Sequence, residues 1–338
     1  MTPYPFNPDE TVVVSGIQSS GALHLGNYFG ALRQHITLHR KHPSYYFIVN
    51  YHAMTSVHDR EALLNHTLDA AVTYLALGFD PTKGNLFVQS DVPLLNELTW
   101  IFFCLTPVSL LEKATSYKDK VAQGLPANCG LFNYPILQAS DILIYGGTVV
   151  PVGADQKQHI EIARDTAQRF NRIWSPEQPL FPVPDAHIME SVAVVPGIDG
   201  RKMSKSYGNT IGIFDEGKQL ANRVKRIVTD STPLEAPKNP DTDNVFALIR
   251  LFASAEQQST IREAYLRGGY GYGHAKKVLI ELITEYFGEA RERRRALLKD
   301  MDYVRDVLRQ GATNARIRAE SCMDKVRELT GLMTTYRV

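Results

Sequence analysis

The first part of the chain alternates short apolar runs with segments of helical periodicity. The run from Thr11 to Val14 is closed by Ser15-Gly16, and from Leu25 the apolar residues fall at 25, 29, 32 and 36. Such runs predict buried strands, and the spacing of three to four predicts a helix. Alternation of this kind predicts a parallel, doubly wound sheet and therefore an α/β fold. Further strands are expected at 45–49, 86–88 and 148–152, and helices at 60–77, 96–105, 134–145 and from 153 to about 170.

The pattern changes after about residue 171. Four prolines between Trp174 and Pro184 indicate a connector, and beyond Ser206 only helical periodicity remains. We therefore expect an α/β domain over residues 1–200 and a helical domain over 207–310. The last amphipathic segment, 312–329, fits either an extension of the helical domain or a return to the sheet domain. The other helices are expected at 219–228, 245–253, 257–267, 274–287 and 289–309.

Composition excludes several classes of protein. A hydrophobic content of 44% and a charged content of 22% are those of an ordinary globular protein. Apolar runs stay well below the ~20 residues that span a bilayer, and residues 1–10 lack the apolar core of a secretory signal. The three cysteines lack metal-ligand spacing and predict reduced thiols in a cytoplasmic protein. They are Cys104, Cys129 and Cys322.

The net charge of +1 does not indicate a nucleic-acid-binding protein, but basic side chains cluster locally in the helical region. Each cluster fits either a solvated helix face or a contact with nucleic-acid phosphates. The clusters comprise Arg223, Lys225 and Arg226; Lys276 and Lys277; and Arg291, Arg293, Arg294 and Arg295.

Two short motifs indicate phosphate chemistry. Lys202-Met203-Ser204-Lys205-Ser206 lies in a Gly/Ser/Asp-rich segment that predicts a mobile loop, and two nearby lysines suit a polyphosphate whose charge changes during reaction. His24-Leu25-Gly26-Asn27 lies where a strand gives way to a helix, and helix N-termini attract phosphate. Each motif alone also fits a bland alternative, a solvated loop or a simple helix start. The pair, in this order, favours a nucleotide site.

Both motifs resemble the signatures of class I aminoacyl-tRNA synthetases, conventionally written HIGH and KMSKS. Asn27 stands where the first signature has His, as is common in tryptophanyl members. Segments 15–21, 26–32 and 150–159 also resemble bacterial tryptophanyl-tRNA synthetases, although Ala154 departs from the usual Glu, and the resemblance runs from about residue 11 to 332. It implies a Rossmann-like fold with an anticodon-binding helical domain, a C-terminal helix that returns to the sheet domain, and a cytoplasmic homodimer. The implied ligands are ATP with Mg²⁺, L-tryptophan and tRNA(Trp), with no dedicated metal site.

The resemblance also assigns roles to individual residues. Catalysis would involve His24, Asn27, Lys120, Lys202 and Lys205. ATP would contact the same glycine-rich and lysine-rich segments, namely Gln18, Ser19, Ser20, Gly26, Asn27, Gly153, Ala154, Asp155, Lys202, Met203, Ser204, Lys205 and Ser206. The amino-acid pocket would be lined by His52, Tyr134, Gln138, Asp141, Val150, Val152 and Gln156.

Tyr134, Gln138 and Asp141 share one face of a predicted apolar helix, because they are spaced i, i+4 and i+7. Buried polar groups need partners, so this face predicts either an internal polar network or a recognition pocket. The Asp141 carboxylate can accept the indole N–H of tryptophan or the hydroxyl of tyrosine, and both remain open on chemistry alone. Gln138 departs from the Met of bacterial tryptophanyl enzymes. One alternative is a tyrosyl enzyme. The other is a paralogue that has lost aminoacylation, and the intact His24, Lys202 and Lys205 argue against that loss.

Overall fold

The computed structural model describes residues 4–7, 9–18, 21–114, 117, 124, 127–153, 156–187 and 195–332. All structural statements below refer to these residues. Five of the predicted site residues lie outside them. They are Ser19, Ser20, Lys120, Ala154 and Asp155.

Five parallel strands form one sheet in the order β3-β2-β1-β4-β5. Val13 opens the central strand and lies opposite Ser44 on one side and Val149 on the other. The predicted α/β fold with a Rossmann-like parallel sheet is confirmed, and its order reverses beside β1, where such sheets bind ligands. The strands are β1 Val13–Ile17, β2 Ser44–Ile48, β3 Asn85–Val88, β4 Val149–Pro151 and β5 Asp185–His187.

The chain divides into two compact units. The sheet unit comprises Met1–Gly21, Gln34–Met189 and Leu297–Val338, and the helical unit comprises Ala22–Arg33 and Glu190–Ala296. This division differs from the sequence-based boundaries of 1–200 and 207–310, since the chain passes to the helical unit after Met189 and returns to the sheet unit at Leu297. It also places residues 22–33 in the helical unit, because residues 23 and 25 exchange backbone hydrogen bonds with residues 211 and 213.

A large hydrophobic core of the sheet unit packs against one face of the sheet, because the strand positions that contribute to it all point to the same side. Val14, Phe47 and Phe87 contribute from the strands, and Ala315 and Met323 from the last helix. The helices are α2 Arg33–Leu38, which begins one residue before this unit, α3 Asn50–Ala53, α4 Arg60–Ala76, α5 Leu94–Phe103, α6 Val108–Glu112, α7 Cys129–Leu143, α8 Lys157–Trp174 and α14 Met301–Thr330.

The helical unit begins with α1 Leu25–Asn27, which continues into a π-helical segment, Tyr28–Leu32. Side-chain caps start its later helices: Asp243 accepts a hydrogen bond from the Phe246 amide at 2.7 Å, and Ser254 accepts one from Gln257. The remaining helices of this unit are α9 Gly217–Lys225, α10 Asn244–Ile249, α11 Ala255–Arg267, α12 Tyr272–Tyr286 and α13 Gly288–Lys299, of which α13 ends just inside the sheet unit.

The first strand continues through Ser15-Gly16, where the sequence predicted its end. Ser15 is buried, and its hydroxyl donates to the Pro151 carbonyl at 3.0 Å. A side chain at Gly16 would come within 2.8 Å of Val49 and Phe47. Both residues are therefore small because neighbouring strands approach closely, and they do not form a turn.

The predicted break between the last two helices was also misplaced. The break lies at Asp300, whose carboxylate caps α14 by accepting a hydrogen bond from the Tyr303 amide at 3.1 Å. Gly311 lies inside α14, where a Cβ would clash with the Leu86 carbonyl of β3. Glycine at this position allows the close approach of helix and sheet, so the helix continues from Met301 to Thr330.

Candidate active site

The His24 turn opens α1 in the helical unit. His24 is only 6% exposed, and its amide donates to the Asn27 side chain at 3.0 Å. Gly26 permits the tight packing of this turn, because a Cβ there would lie 3.0 Å from the His24 ring and 3.4 Å from the Met203 side chain. The HIGH-like motif and the lysine motif therefore lie close together.

The lysine loop, residues 202–206, is held at its base by Asn209. The Asn209 side chain accepts a hydrogen bond from the Ser204 amide at 2.8 Å and donates to the Lys202 carbonyl at 3.1 Å. Met203 is buried, whereas Lys202 and Ser206 are exposed and Lys205 is half-buried. The loop thus has an anchored backbone, and its two lysines flank a buried methionine in the sequence.

Electrostatics distinguish His24 from an ordinary surface histidine. Burial, assisted by the positive charge of Lys205, lowers the pKa of His24 to about 4. The imidazole is therefore neutral at physiological pH. Its Nδ1 is buried and has no hydrogen-bond partner among the described residues, as expected of a group that awaits a polar ligand.

In the sheet unit, Asp141 of α7 is the centre of a buried polar network. His52 Nε2 donates to Asp141 Oδ2 at 2.9 Å, and Gln89 Nε2 donates to both carboxylate oxygens at 2.9 and 2.8 Å. Gln89 is fixed in turn, because its Oε1 accepts a hydrogen bond from the Tyr51 amide at 3.0 Å. Burial raises the pKa of Asp141, while His52 and Gln89 act in the opposite direction.

A second chain of hydrogen bonds starts at Tyr134, about two helical turns before Asp141 on α7. The Tyr134 hydroxyl lies 2.9 Å from His159 Nε2, and His159 Nδ1 lies 2.8 Å from Gln156 Oε1. Because an amide oxygen only accepts, His159 donates from Nδ1 and accepts the Tyr134 proton at Nε2. The rings of Tyr134 and His52 meet edge to face with centroids 6.1 Å apart, so the two networks are neighbours.

These networks account for most of the predicted pocket. His52, Tyr134, Asp141 and Gln156 are joined directly or through one partner. Gln138 is half-buried on α7, Val150 is buried in β4, and Val152 and Gly153 follow β4 half-buried. Gln18 is exposed just after β1, also at the carboxyl edge of the sheet.

Two members of the networks were missed in the sequence, Gln89 and His159. Gln89 immediately follows β3, and glutamine after a strand at the ligand-binding edge is a signal that could have found it. His159 lies three residues after Gln156 on the same helix, a spacing that places both side chains on one face.

The basic clusters are partly structural. Arg291 is 5% exposed and donates to the carbonyls of Thr284 and Asp215, so its expected place on a solvated or phosphate-binding face was wrong. Lys276 donates to the Lys225 and Ile227 carbonyls. The members that stay exposed are Lys225, Arg226, Lys277, Arg293 and Arg295.

Neither a metal cage nor a membrane span emerges from the described part of the chain. No group of three or more His, Cys, Asp or Glu side chains there could hold a metal ion. Nor is any helix in those residues long and apolar enough to cross a bilayer.

Comparison with known proteins places the chain in a family. A model described as tRNA synthetases class I (W and Y) matches residues 7–288. The tryptophan–tRNA ligase of Fusobacterium nucleatum is 50% identical over 320 residues, which cover 95% of this chain and 98% of that protein. The tryptophanyl-tRNA synthetase of Campylobacter jejuni, whose crystal structure contains ADP and tryptophan, superimposes with a TM-score of 0.89 at 48% identity. That match covers 95% of this chain and 100% of the other.

A tyrosyl-tRNA synthetase of Archaeoglobus fulgidus, complexed with L-tyrosine, shares the fold at a TM-score of 0.64 but only 16% identity, over 85% of this chain and 91% of that one. The high identity lies with the tryptophan enzymes and extends over nearly the whole chain. The chain therefore belongs to the class I tRNA synthetases and, within them, to the tryptophan–tRNA ligases.

Proposed function

We propose that the chain activates L-tryptophan with ATP to tryptophanyl-adenylate and pyrophosphate, and then transfers the tryptophanyl group to tRNA(Trp) with release of AMP. The observation that carries this proposal is the buried Asp141–His52–Gln89 network, in a chain half identical to a tryptophan–tRNA ligase. A buried carboxylate held by two side-chain donors is suited to receive one further N–H from a ligand.

Asp141 accepts the indole N–H in this proposal. A carboxylate offers about four lone-pair sites. Among the described residues, Oδ2 receives hydrogen bonds from both His52 and Gln89, whereas Oδ1 receives one from Gln89. Oδ1 therefore keeps capacity for a ligand donor. Val150, Val152 and Gln138 line the space around the indole.

Tyr134 and Gln156 hold the amino group of the substrate. The hydrogen-bond chain commits the Tyr134 proton to His159, which leaves the phenolic oxygen as an acceptor. An acceptor beside a half-buried glutamine that is oriented by His159 favours an ammonium donor. The sheet unit then fixes the amino acid at its indole N–H and at its amino group. Fixing a substrate in this way supplies much of the rate enhancement of a two-substrate reaction.

The phosphates of ATP are bound by the His24 turn and the lysine loop. His24 supplies a neutral, buried imidazole, and Lys202 and Lys205 supply positive charge where the pyrophosphate leaves. Asn27, Gly26, Met203, Ser204 and Ser206 complete this surface. Mg²⁺ accompanies the phosphates, which fits the preference of that ion for phosphate oxygens and water over an all-protein cage.

The exposed basic residues of the helical unit contact the anticodon side of tRNA(Trp). The enzyme acts in the cytoplasm as a homodimer. The resemblance to the tryptophanyl enzymes supports these assignments, and the exposure of Lys225, Arg226 and Lys277 supports the first of them.

Pyrophosphate exchange into ATP tests the proposed reaction, with tryptophan and tyrosine compared as the only amino acid added. We expect tryptophan to support exchange and tyrosine to be poorer by at least about 10²-fold, since one well-matched buried polar group discriminates by that order or more. Equal or faster exchange with tyrosine contradicts the substrate assignment. No exchange with either amino acid contradicts the reaction itself.

A further inference from the structure

A short segment joins the lysine loop to the His24 turn within the helical unit. We call residues 209–215 the strap. Its backbone pairs with the residues that carry His24: the Leu25 amide donates to the Ile211 carbonyl at 2.9 Å, and the Ile213 amide donates to the Leu23 carbonyl at 3.2 Å. Ile211 and Ile213 are fully buried. The strap is therefore a rigid support on which the His24 turn rests.

Asn209 fixes one end of the strap to the lysine loop. Besides its bonds to the Ser204 amide and the Lys202 carbonyl, its side-chain nitrogen donates to Asp199 at 2.7 Å. Asn209 is 1% exposed. A displacement of the strap at this end therefore moves the backbone of both loop lysines.

Asp215 fixes the other end. One carboxylate oxygen accepts the Gly212 amide at 2.7 Å and pairs with Arg223 Nε at 2.8 Å, and the other accepts the Gln219 amide group at 2.7 Å. Asp215 is 7% exposed. The carboxylate thus folds the strap back on itself at Gly212, which forms a backbone bridge with His24.

Three further contacts show how closely this end is packed. A Cβ at Gly212 would come within 2.7 Å of the Asp215 carboxylate, so the residue at the bridge must be small. Arg223 also donates to the Thr210 carbonyl at 2.7 Å, and the buried Arg291 donates to the Asp215 carbonyl at 3.1 Å. Two arginines from different helices, α9 and α13, therefore hold the strap.

We propose that Asp215, acting through the strap, is a positioning residue of the activation reaction that holds His24 in register with Lys205. This inference rests on the proposed function, in which these two side chains bind the phosphates. Asp215 touches neither ATP nor tryptophan in this account. Its effect on the rate arises because misplacing reacting groups by about 1 Å can cost about 10²-fold in rate.

The test is the rate constant of adenylate formation, measured with saturating ATP and tryptophan in Asp215→Ala. We expect a loss of about 10- to 100-fold with the affinity for tryptophan unchanged. Asp215→Asn retains an oxygen for the Gly212 amide and an amide group that can pair with a flipped Gln219. This conservative variant should therefore recover the rate to within about threefold of wild type.

Two comparisons distinguish a positioning role of Asp215 from a purely structural one. Asp243 is equally buried in the same unit, where it accepts the Phe246 amide and the Tyr265 hydroxyl, so Asp243→Ala is the matched control. We expect it to lower stability without slowing adenylate formation. In a His24→Ala background, Asp215→Ala should cost less than about threefold, because a positioning residue has little effect once the group it positions is gone.

Several outcomes would overturn the inference. They are a normal rate in Asp215→Ala, an equal loss in both backgrounds, and an equal loss in Asp243→Ala. If Asp215→Ala does not fold, Arg223→Gln weakens the same end of the strap while leaving the carboxylate in place, and a normal rate there overturns the inference too. A wild-type protein that forms no adenylate instead contradicts the proposed function, so the two failures are distinguishable.

Discussion

Gln89 donates from one nitrogen to both oxygens of Asp141, at 2.9 and 2.8 Å, and thereby fixes the orientation of the carboxylate. The two residues are 52 positions apart and belong to different elements. Gln89 follows β3, and Asp141 lies on α7. On the proposed function, this relationship makes Gln89 a determinant of tryptophan recognition, and no local pattern in the sequence identified it.

The first prediction concerns this glutamine. Gln89→Met removes the donor and leaves a buried carboxylate with fewer partners, which costs about 1.5–3 kcal/mol. We expect the KM for tryptophan to rise by about 10- to 100-fold, with the KM for ATP unchanged. Gln34→Met is the matched control, since Gln34 is a buried glutamine of the same unit that donates to a backbone carbonyl. A rise in the tryptophan KM that is equal in both variants would exclude a specific role.

The second prediction concerns stability at low pH. Burial lowers the pKa of His35, which bonds to the Tyr74 hydroxyl at 2.8 Å, to about 4, and burial with Lys205 does the same for His24. Unfolding returns each group to about 6.5, so the unfolded chain binds more protons between these values. The stability that depends on keeping each histidine neutral is fully present above pH 6.5 and is lost as the pH falls toward 4. The linked protonation of each histidine lowers the free energy of unfolding by about 2 kcal/mol at pH 5.

The free energy of unfolding, measured by denaturant titration from pH 7 to 5, checks this expectation. His35→Phe should reduce the loss of unfolding free energy between pH 7 and pH 5 by the contribution of one histidine. His58→Phe, at an exposed position, controls for the change of ring. An unchanged pH slope in His35→Phe would show that this imidazole is not held neutral by burial.

The third prediction concerns tRNA. Arg226 and Lys277 are exposed in the helical unit, and phosphate contacts weaken with salt in proportion to their number. Arg226→Gln with Lys277→Gln should weaken tRNA(Trp) binding and reduce the salt slope by about 0.7–0.9 per lost contact. Pyrophosphate exchange should not change.

A charge-matched control uses Arg305→Gln with Arg309→Gln, which are exposed on α14 of the sheet unit and paired with Asp302 and Asp306. If both double variants bind tRNA with the same reduced salt slope, the helical unit has no special part in binding. Arg293 to Arg295 are poorer probes, because Arg295 also pairs with Glu216 at 2.6 Å and Arg294 lies over the Phe214 ring.

Periodicity predicted the parallel sheet because short apolar runs alternate along the chain with segments of helical spacing. It missed β5, Asp185–His187, since three residues with an exposed pattern at the sheet edge carry no hydrophobic signal. It also misplaced the break before α14. A glycine in a helix suggests an interruption, whereas Gly311 serves a close approach to Leu86 that only the packed structure reveals.

The candidate site was also predictable from the sequence only in part. The spacing of Tyr134 and Asp141 predicted a shared face, and the structure places both in polar networks. The partners of these residues come from distant parts of the chain, and no local pattern joins His52 or Gln89 to Asp141. Arg291 shows the opposite error, because a basic residue in a run of arginines carries no sign that its neighbours bury it.

The central claim is that tryptophan recognition and phosphate stabilisation are carried by separate sets of residues. Single-turnover formation of tryptophanyl-adenylate, measured over a range of tryptophan concentrations at saturating ATP, separates the two for Asp141→Ala and Lys205→Ala. Asp141→Ala should raise the tryptophan concentration at half-maximal rate by about 10- to 100-fold. Lys205→Ala should leave that concentration unchanged and lower the maximal rate by about 10²- to 10³-fold, as removal of one preorganised charge donor does. A Lys205→Ala protein with a normal maximal rate, or an Asp141→Ala protein with normal tryptophan dependence, would contradict the account.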